Sequence, residues 1–529
     1  MNQSSQAELF ARSFQSREAR HPGAACLTLP LLHDLGVQEA VDARCASKHA
    51  VPHGNIIALL VMNRLQAPRP LYRVQEWLAH TGLEPALGLQ AEQAHDTRLG
   101  EALDAVYAHY QDIWQEVVLN AVRRYHLPLD WLHYDITSTY FEGAYDESEW
   151  IKFGYSRDHR PDCKQLNLGL TTQRHGLPLA FRVLVGNTAD QTTPRQNLEM
   201  VRKLLNQAQV THETIVHDRG MANAENLIWY GQQKQRFVSS VTADGALRAV
   251  LDQVPEAELL AHPLDYQPQR AGGAGAPLYY GVWREHTLVH QEQSVSVRCL
   301  VTYSVSKARL DAQKRQDLLK RLLQRLAVIE AQLNQRKYKR RAYVLEQIHL
   351  AQRGNAAAAL VDIDLQGEDA ELALHFQVNA TRQAQAKQRD GRYPILTNCE
   401  DLGADEVLRH LKEQDQIEKR FWVLKGPLRV HPLWLHKDER LVSLVLVLMI
   451  ALLIYCLLEY LVRQAQRWPP SSRPPTGRVL LEAFANYSIV LLRFADGSQL
   501  WTFPDLTPLQ TELFAILGLP FPQESLMLV

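Results

Sequence analysis

The spacing of apolar and polar positions divides the chain into blocks of different period. From Leu27 to about His126, apolar residues recur three and four apart, most clearly in Asn55–Leu65, Leu71–His80 and Glu101–Tyr125. That spacing predicts a run of helices. Pro68–Pro70 and Gly82–Pro85 supply turns between them. After Asp130 the period changes to two. Leu132–Glu142, Leu166–Gln173 and Leu179–Val185 alternate as strands, and His175-Gly176-Leu177-Pro178 joins the last two as a hairpin. A helix over Pro194–Asn206, a short strand at Thr214–Val216, a helix over Asn223–Tyr230 and a strand at Arg236–Val241 follow. Three strands, helix, strand, helix, strand is an α/β order.

The pattern breaks near Thr242. Leu260–Pro277 is rich in Gly, Pro and Ala and reads as loop. Leu278–Tyr303 alternates as strands. Ser306 to about Arg353 predicts one or two long helices, with Leu310, Leu318, Leu322 and Leu326 on the inner side. Ala359–Val378 is β-like, Thr381–Arg389 is polar and basic, and Asp390–Thr397 returns to strand. Asp405–Leu424 predicts one helix, with acids near its start and Gly426-Pro427 after its end. Leu441–Leu458 is apolar throughout except for Ser443, long enough to cross a bilayer. The favoured reading is a helix buried on all sides, with no membrane partner. Trp468-Pro469-Pro470 through Pro475 is a stiff linker. Ile489–Phe494 and Gln499–Phe503 flank Ala495-Asp496-Gly497-Ser498 as a hairpin.

These blocks give six regions. Residues 1–26 are a loose N-terminus, 27–128 a helical N-terminal domain, and 129–242 the first part of an α/β core. Residues 243–390 are an insertion with long basic helices, 391–465 the second part of the core, and 466–529 a Pro-rich linker with a small C-terminal segment. At 529 residues the chain exceeds one compact core, which agrees with several domains. The net charge is -1, so any nucleic-acid contact must rest on local positive charge. Lys307–Arg341 supplies it, with twelve Lys/Arg against three Asp/Glu. The six cysteines are scattered and none forms a Cys-x-x-Cys pair, which speaks against zinc ribbons and disulfide scaffolds.

Three acids draw the chemistry together. Asp135 lies mid-strand in Leu-His-Tyr-Asp-Ile-Thr-Ser-Thr-Tyr-Phe-Glu, on one face with Thr137 and Thr139. Asp218 ends a later strand and is followed by Arg219 and Gly220. Glu418 shares a helical stripe with Gln414, Trp422 and Lys425, while Ile417, Phe421 and Leu424 form the adjacent apolar stripe. Carboxylates from two strands and a helix suit a pair of Mg²⁺ ions, which take oxygen ligands. Two such ions support phosphoryl transfer. Each acid alone is weak evidence, since isolated acids are usually solvated or paired. A His133/Asp135 metal site explains fewer residues.

The set Tyr-Asp-Ile-Thr-Ser-Thr-Tyr-Phe-Glu-Gly (134–143), His-Asp-Arg-Gly-Met (217–221) and Ile-Glu-Lys-Arg-Phe-Trp-Val-Leu-Lys (417–425) resembles the DDE transposases of bacterial insertion sequences. The similarity is to the branch with a long insertion before the Glu, and spans roughly residues 27–465. It implies an RNase H-like core, a mixed five-stranded sheet with flanking helices. It also implies Asp135, Asp218 and Glu418 as catalytic metal ligands, and two Mg²⁺ ions that Mn²⁺ can replace. Implied partners are double-stranded DNA, both terminal inverted repeats and target, and a homodimer on DNA. A bacterial cytoplasmic, nucleoid-associated location goes with them. The expected activity is cleavage at element ends and strand transfer. The branch's Tyr-x2-Arg-x3-Glu-x6-Lys signature is matched by Glu418 and Lys425, but Leu411 and Gln414 stand at its Tyr and Arg positions. Lys425, Arg219, Arg420 and Lys412 are the expected phosphate-binding residues. The alternative is a catalytically degenerate descendant that only binds DNA.

Overall fold

The computed structural model describes residues 14–267, 277–428, 435, 437–467 and 475–526. The strands are β1 (Phe14–Arg20), β2 (Trp131–Phe141), β3 (Lys164–Gln173), β4 (Pro178–Leu184), β5 (Thr214–His217), β6 (Arg236–Ser240), β7 (Tyr279–His290), β8 (Gln293–Ser304), β9 (Val361–Gln366), β10 (Ala373–Val378), β11 (Arg392–Thr397), β12 (Ile489–Phe494) and β13 (Gln499–Thr502). The longer helices are α1 (Ala25–Asp34), α2 (His53–Gln66), α3 (Asp96–Val106), α4 (Tyr110–Tyr125), α5 (Pro194–Gln207), α6 (Val305–Gln332), α7 (Arg341–Gln352), α8 (Ala404–Glu413), α9 (Asp415–Lys425) and α10 (Asp438–Gln464). Two compact units result, Met1–His217 with Glu413–Val529, and Asp218–Lys412.

In the first unit the strand order is β4-β3-β2-β5. β3 runs antiparallel to β2, β4 antiparallel to β3, and β5 parallel to β2. An antiparallel meander whose first strand pairs in parallel with the fourth is the RNase H-like arrangement. The parallel pair needs a crossover, and α5 provides it, starting with Pro194 at its first position. A helical N-terminal region precedes this α/β fold and a large mixed α+β insertion interrupts it.

The residues expected to form a separate helical domain, 27–128, lie in the same compact unit as these strands. The reason is α10. Its apolar stretch is wholly buried, and it packs on α1, α2, α3, α4, β4 and α9. A helix apolar on all sides needs protein on all sides, and the N-terminal helices supply much of that surface. The long apolar run is therefore covered by its own unit.

One further expectation changes. Residues 14–26 are not loose: β1 pairs antiparallel with β12, giving a β1-β12-β13 sheet. The hairpin β12–β13 forms where the alternation put it. Most of the Pro-rich linker, residues 468–474, lies outside the described residues, as do 1–13 and 268–276.

The second unit has an antiparallel sheet β6-β11-β8-β7. Its insertion packs α6 and α7 on the β9–β10 hairpin, with Leu322, Leu326, Ile329, Val344, Ile348 and Leu374 in the core. Leu322 and Leu326 are inward as expected, but Leu310 is 70% exposed because it precedes the part of α6 that meets this core. The basic stretch 381–389 is a helix, Ala380–Arg389, capped by the Asn379 side chain.

Candidate functional site

Asp135 lies at the centre of β2. Pairing with β5 covers only Trp131–Tyr134, so Asp135 is the first residue beyond it, while β3 pairs with the whole strand. Tyr134 points to the opposite face and is fully buried. Its phenol leaves no room for a Cβ at Gly169, which would stand 2.8 Å from the oxygen, and burial pushes the phenol pKa up. Thr137 and Thr139 line an apolar cavity with Leu424, Lys425, Leu441, Val445 and Met449. The Asp135 face of β2 therefore looks toward α9 and α10. Asp135 is half-buried, and its Oδ1 accepts the Ile136 N–H at 2.7 Å.

The helix carrying Glu418 is shorter than predicted. The segment 405–424 is two helices, α8 and α9, with a turn at Gln414. The Ile417 N–H closes that turn onto the Gln414 carbonyl at 3.1 Å. Neither Gly nor Pro marks the break, so the sequence hides it. α9 buries Ile417, Phe421, Val423 and Leu424 and packs on β2 and β3. Glu418 and Trp422 are exposed. Glu418 sits in the first turn, where the helix dipole favours an anion.

Asp218 lies just past β5 and is exposed, its Oδ1 accepting from the Arg219 N–H at 2.7 Å and Ser240 Oγ at 3.1 Å. His133 and His217, beside the acids in sequence, are fully buried. Among the described residues, no group of three or more His, Cys, Asp and Glu side chains is placed to hold a metal ion.

The four expected phosphate ligands separate. Arg420 is a correction: it is 3% exposed. Its Nη1 donates to Glu459 at 2.7 Å, its Nε to the Gly176 carbonyl at 2.9 Å and its Nη2 to the His175 carbonyl at 3.2 Å. It ties α9 to α10 and to the β3–β4 turn, and its burial keeps the guanidinium from meeting DNA. Gly176 is required there, since φ is +81° and a Cβ would stand 2.7 Å from Arg420 Nε. Lys412 is a second correction. Its ammonium lies over the rings of Tyr279 and Tyr393, at 5.2 and 5.6 Å from the centroids, and burial lowers its pKa. Arg219 is exposed. Lys425 is half-buried and its Nζ meets Asp158 Oδ1 at 2.6 Å.

Sequence reasoning missed Asp158 and Glu459, the two acids that engage these cations. The spacing did hold a signal for Arg420. It lies three residues after Ile417 and four before Leu424, on the buried flank of its helix.

Residues 26–119 match a family model described as a domain of unknown function (DUF4277). No curated protein matches the chain. Among solved structures, a cryo-EM structure of the piggyBac transposase synaptic complex with hairpin DNA aligns over 89% of this chain and 82% of its own, at 7% identity and TM-score 0.38. A Mos1 transposase paired-end complex with the left transposon end aligns over 39% of this chain and 63% of its own, at 14% identity and TM-score 0.16. What the chain's own strands establish is an RNase H-like α/β fold carrying acids on the first strand, after the fourth, and on a late helix.

Proposed function

We propose that the chain is a DNA-binding protein of transposase descent whose acidic site has lost the arrangement needed for metal-dependent cleavage. The observation that carries this reading is the absence, among the described residues, of any metal-holding group of acids or histidines. Three features support it. Leu411 and Gln414 replace the signature Tyr and Arg, Arg420 serves as an internal strut, and Lys425 is engaged by Asp158. The DNA-binding half of the reading rests on the resemblance of the three motifs and on local charge. In the second unit, Arg336, Lys337, Lys339 and Arg340 are all exposed at the turn between α6 and α7, a phosphate-contacting tip. The partner is double-stranded DNA bearing the terminal inverted repeats of an element, bound by a homodimer in the bacterial cytoplasm at the nucleoid.

The test is a pair of measurements on the purified chain. Anisotropy with end-containing duplex should give salt-dependent binding. The same duplex with Mg²⁺ or Mn²⁺ should stay intact. Nicking at the element end would overturn the degenerate reading in favour of an active transposase. One observation favours that second reading: exposed Glu418 rides on a helix packed against the strand of Asp135. In that case Asp135, Asp218 and Glu418 hold Mg²⁺ during end cleavage and strand transfer, and Asp135→Asn abolishes cleavage without loss of end binding.

A further inference from the structure

The connection from β2 to β3, residues 142–163, presents two aromatic rings to solvent on a backbone that is fixed from below. Phe153 is 59% exposed and Tyr155 84%. The segment beneath them is held at several points. Lys152 and Gln165 exchange backbone hydrogen bonds at 3.0 and 2.8 Å, and the Gly186 N–H donates to the Trp150 carbonyl at 2.9 Å. Gln165 Nε2 donates to the Tyr155 carbonyl at 3.0 Å and to the Gly186 carbonyl at 2.7 Å. The Arg157 N–H donates to Ser138 Oγ at 2.9 Å, on the half of β2 that β5 leaves unpaired. Between the rings, Gly154 lies so close to the chain that a Cβ would stand 2.1 Å from the Gly186 carbonyl oxygen. Glycine is there because backbone rests on backbone.

Two large rings kept in water on a pinned loop are a poor solution for folding alone, since they bury little. They are a good one for binding, because a held side chain loses little entropy on capture. The charges around them indicate the partner. Most nearby cations already have an acid, Arg157 with Asp190, Arg160 with Asp162, Lys164 with Asp146 and Lys425 with Asp158, and among the described residues of the segment Lys152 is the exception. A phosphate backbone therefore finds little unspent positive charge here, whereas a flat aromatic ligand finds the exposed Tyr155 ring and a Phe153 ring with the Lys164 ammonium 5.9 Å from its centroid. Paired bases inside a duplex are stacked on both sides, and only the outermost pair offers a face. Unpaired bases offer faces of their own, and base–aromatic stacking tolerates any sequence.

We propose that Phe153 and Tyr155 form a stacking platform for unpaired bases at the end of a bound DNA. The proposal rests on the DNA-binding reading above and adds to it a preference for ends with unpaired nucleotides. The test compares the full chain with its Phe153→Ala, Tyr155→Ala and Tyr155→Trp variants on a blunt duplex and on the same duplex with a four-nucleotide overhang. Wild type should favour the overhang. Each alanine variant should lose at least about fivefold on the overhang and nothing on the blunt duplex. Tyr155→Trp should keep the affinity. The salt slope should not change in any variant, because neither ring neutralises a phosphate. Equal binding of both duplexes by wild type, with blunt binding intact, overturns this proposal alone. So does an equal loss on both duplexes. Sedimentation of the alanine variants as monomers, from a wild-type dimer with unchanged DNA binding, would reassign the rings to self-association. Failure of wild type to bind either duplex removes the DNA-binding reading and this platform together.

Discussion

Arg420 and Lys425 stand on one helix and have opposite surroundings. Arg420 is enclosed, and its partner Glu459 also accepts the Gly477 N–H at 2.9 Å. Removing one member leaves a buried charge uncompensated. Arg420→Ala should therefore cost about 3–5 kcal/mol in urea unfolding, with Arg420→Lys milder. Neither should change the salt slope of DNA binding, since the enclosed guanidinium meets no phosphate. Lys425 keeps some access to solvent, with 24% of its side chain exposed against 15% for Asp158. Freed of that acid, its ammonium can meet a phosphate. Asp158→Asn should strengthen DNA binding and steepen the log–log salt slope by about 0.9, one phosphate's worth. An unchanged slope would show the pair to be structural only. Residue-scale chemistry was half legible. Alternation in β2 gave the Asp135 face correctly, because period-two geometry is local. The partners of Arg420 and Lys425 come from far along the chain, and no local rule names them.

Among the elements, α10 illustrates what hydropathy decides and what it leaves open. Its length and composition satisfy the membrane criterion, with mean hydropathy 3.1 over the best window. Only its neighbours distinguish a buried helix from a spanning one, and most of those lie far earlier in the chain, in residues 25–125 and 178–184. Leu452→Ala, at a fully buried position, should cost about 2–5 kcal/mol. The chain should be recovered after lysis without detergent; recovery only with detergent would place α10 in a bilayer. β1 was illegible for a related reason. Phe-Gln-Ser-Arg-Glu-Ala-Arg carries little alternation of its own and takes strand form by pairing with β12. The α6–α7 turn tests charge at this scale. Replacing Arg336, Lys337, Lys339 and Arg340 by Gln should lower the salt slope by about 0.9 for each phosphate that is no longer neutralised.

At the scale of the whole molecule, several histidines give stability a direction with pH. Burial lowers the pKa of His33, His53 and His175 in the first unit and of His286 in the second, from an ordinary 6.5. The native state thus resists protons that the unfolded chain accepts. Stability should be fully present above about pH 6.5 and decline as pH falls through that value toward the folded pKa values. Urea midpoints at pH 7.5, 6.5 and 5.5 check this. A midpoint that rises on acidification would contradict it. For His53 the Arg98 guanidinium adds to the effect, its Nη1 lying 3.1 Å from Nδ1. The order of strands and helices was legible at this scale, including the insertion, because element order follows local periodicity. The membership of the compact units was not. It depends on a late helix that the early helices cover.

That dependence has a consequence for synthesis on the ribosome. The helices 25–125 leave the exit tunnel long before α10 and β12 exist, and both complete surfaces that the early residues need. At about 5–20 residues per second, their apolar faces wait on the order of 15–60 s for a cover. A message cut short anywhere before residue 438 would yield helices with no α10 to close on, a species for chaperones and proteases rather than a smaller working protein.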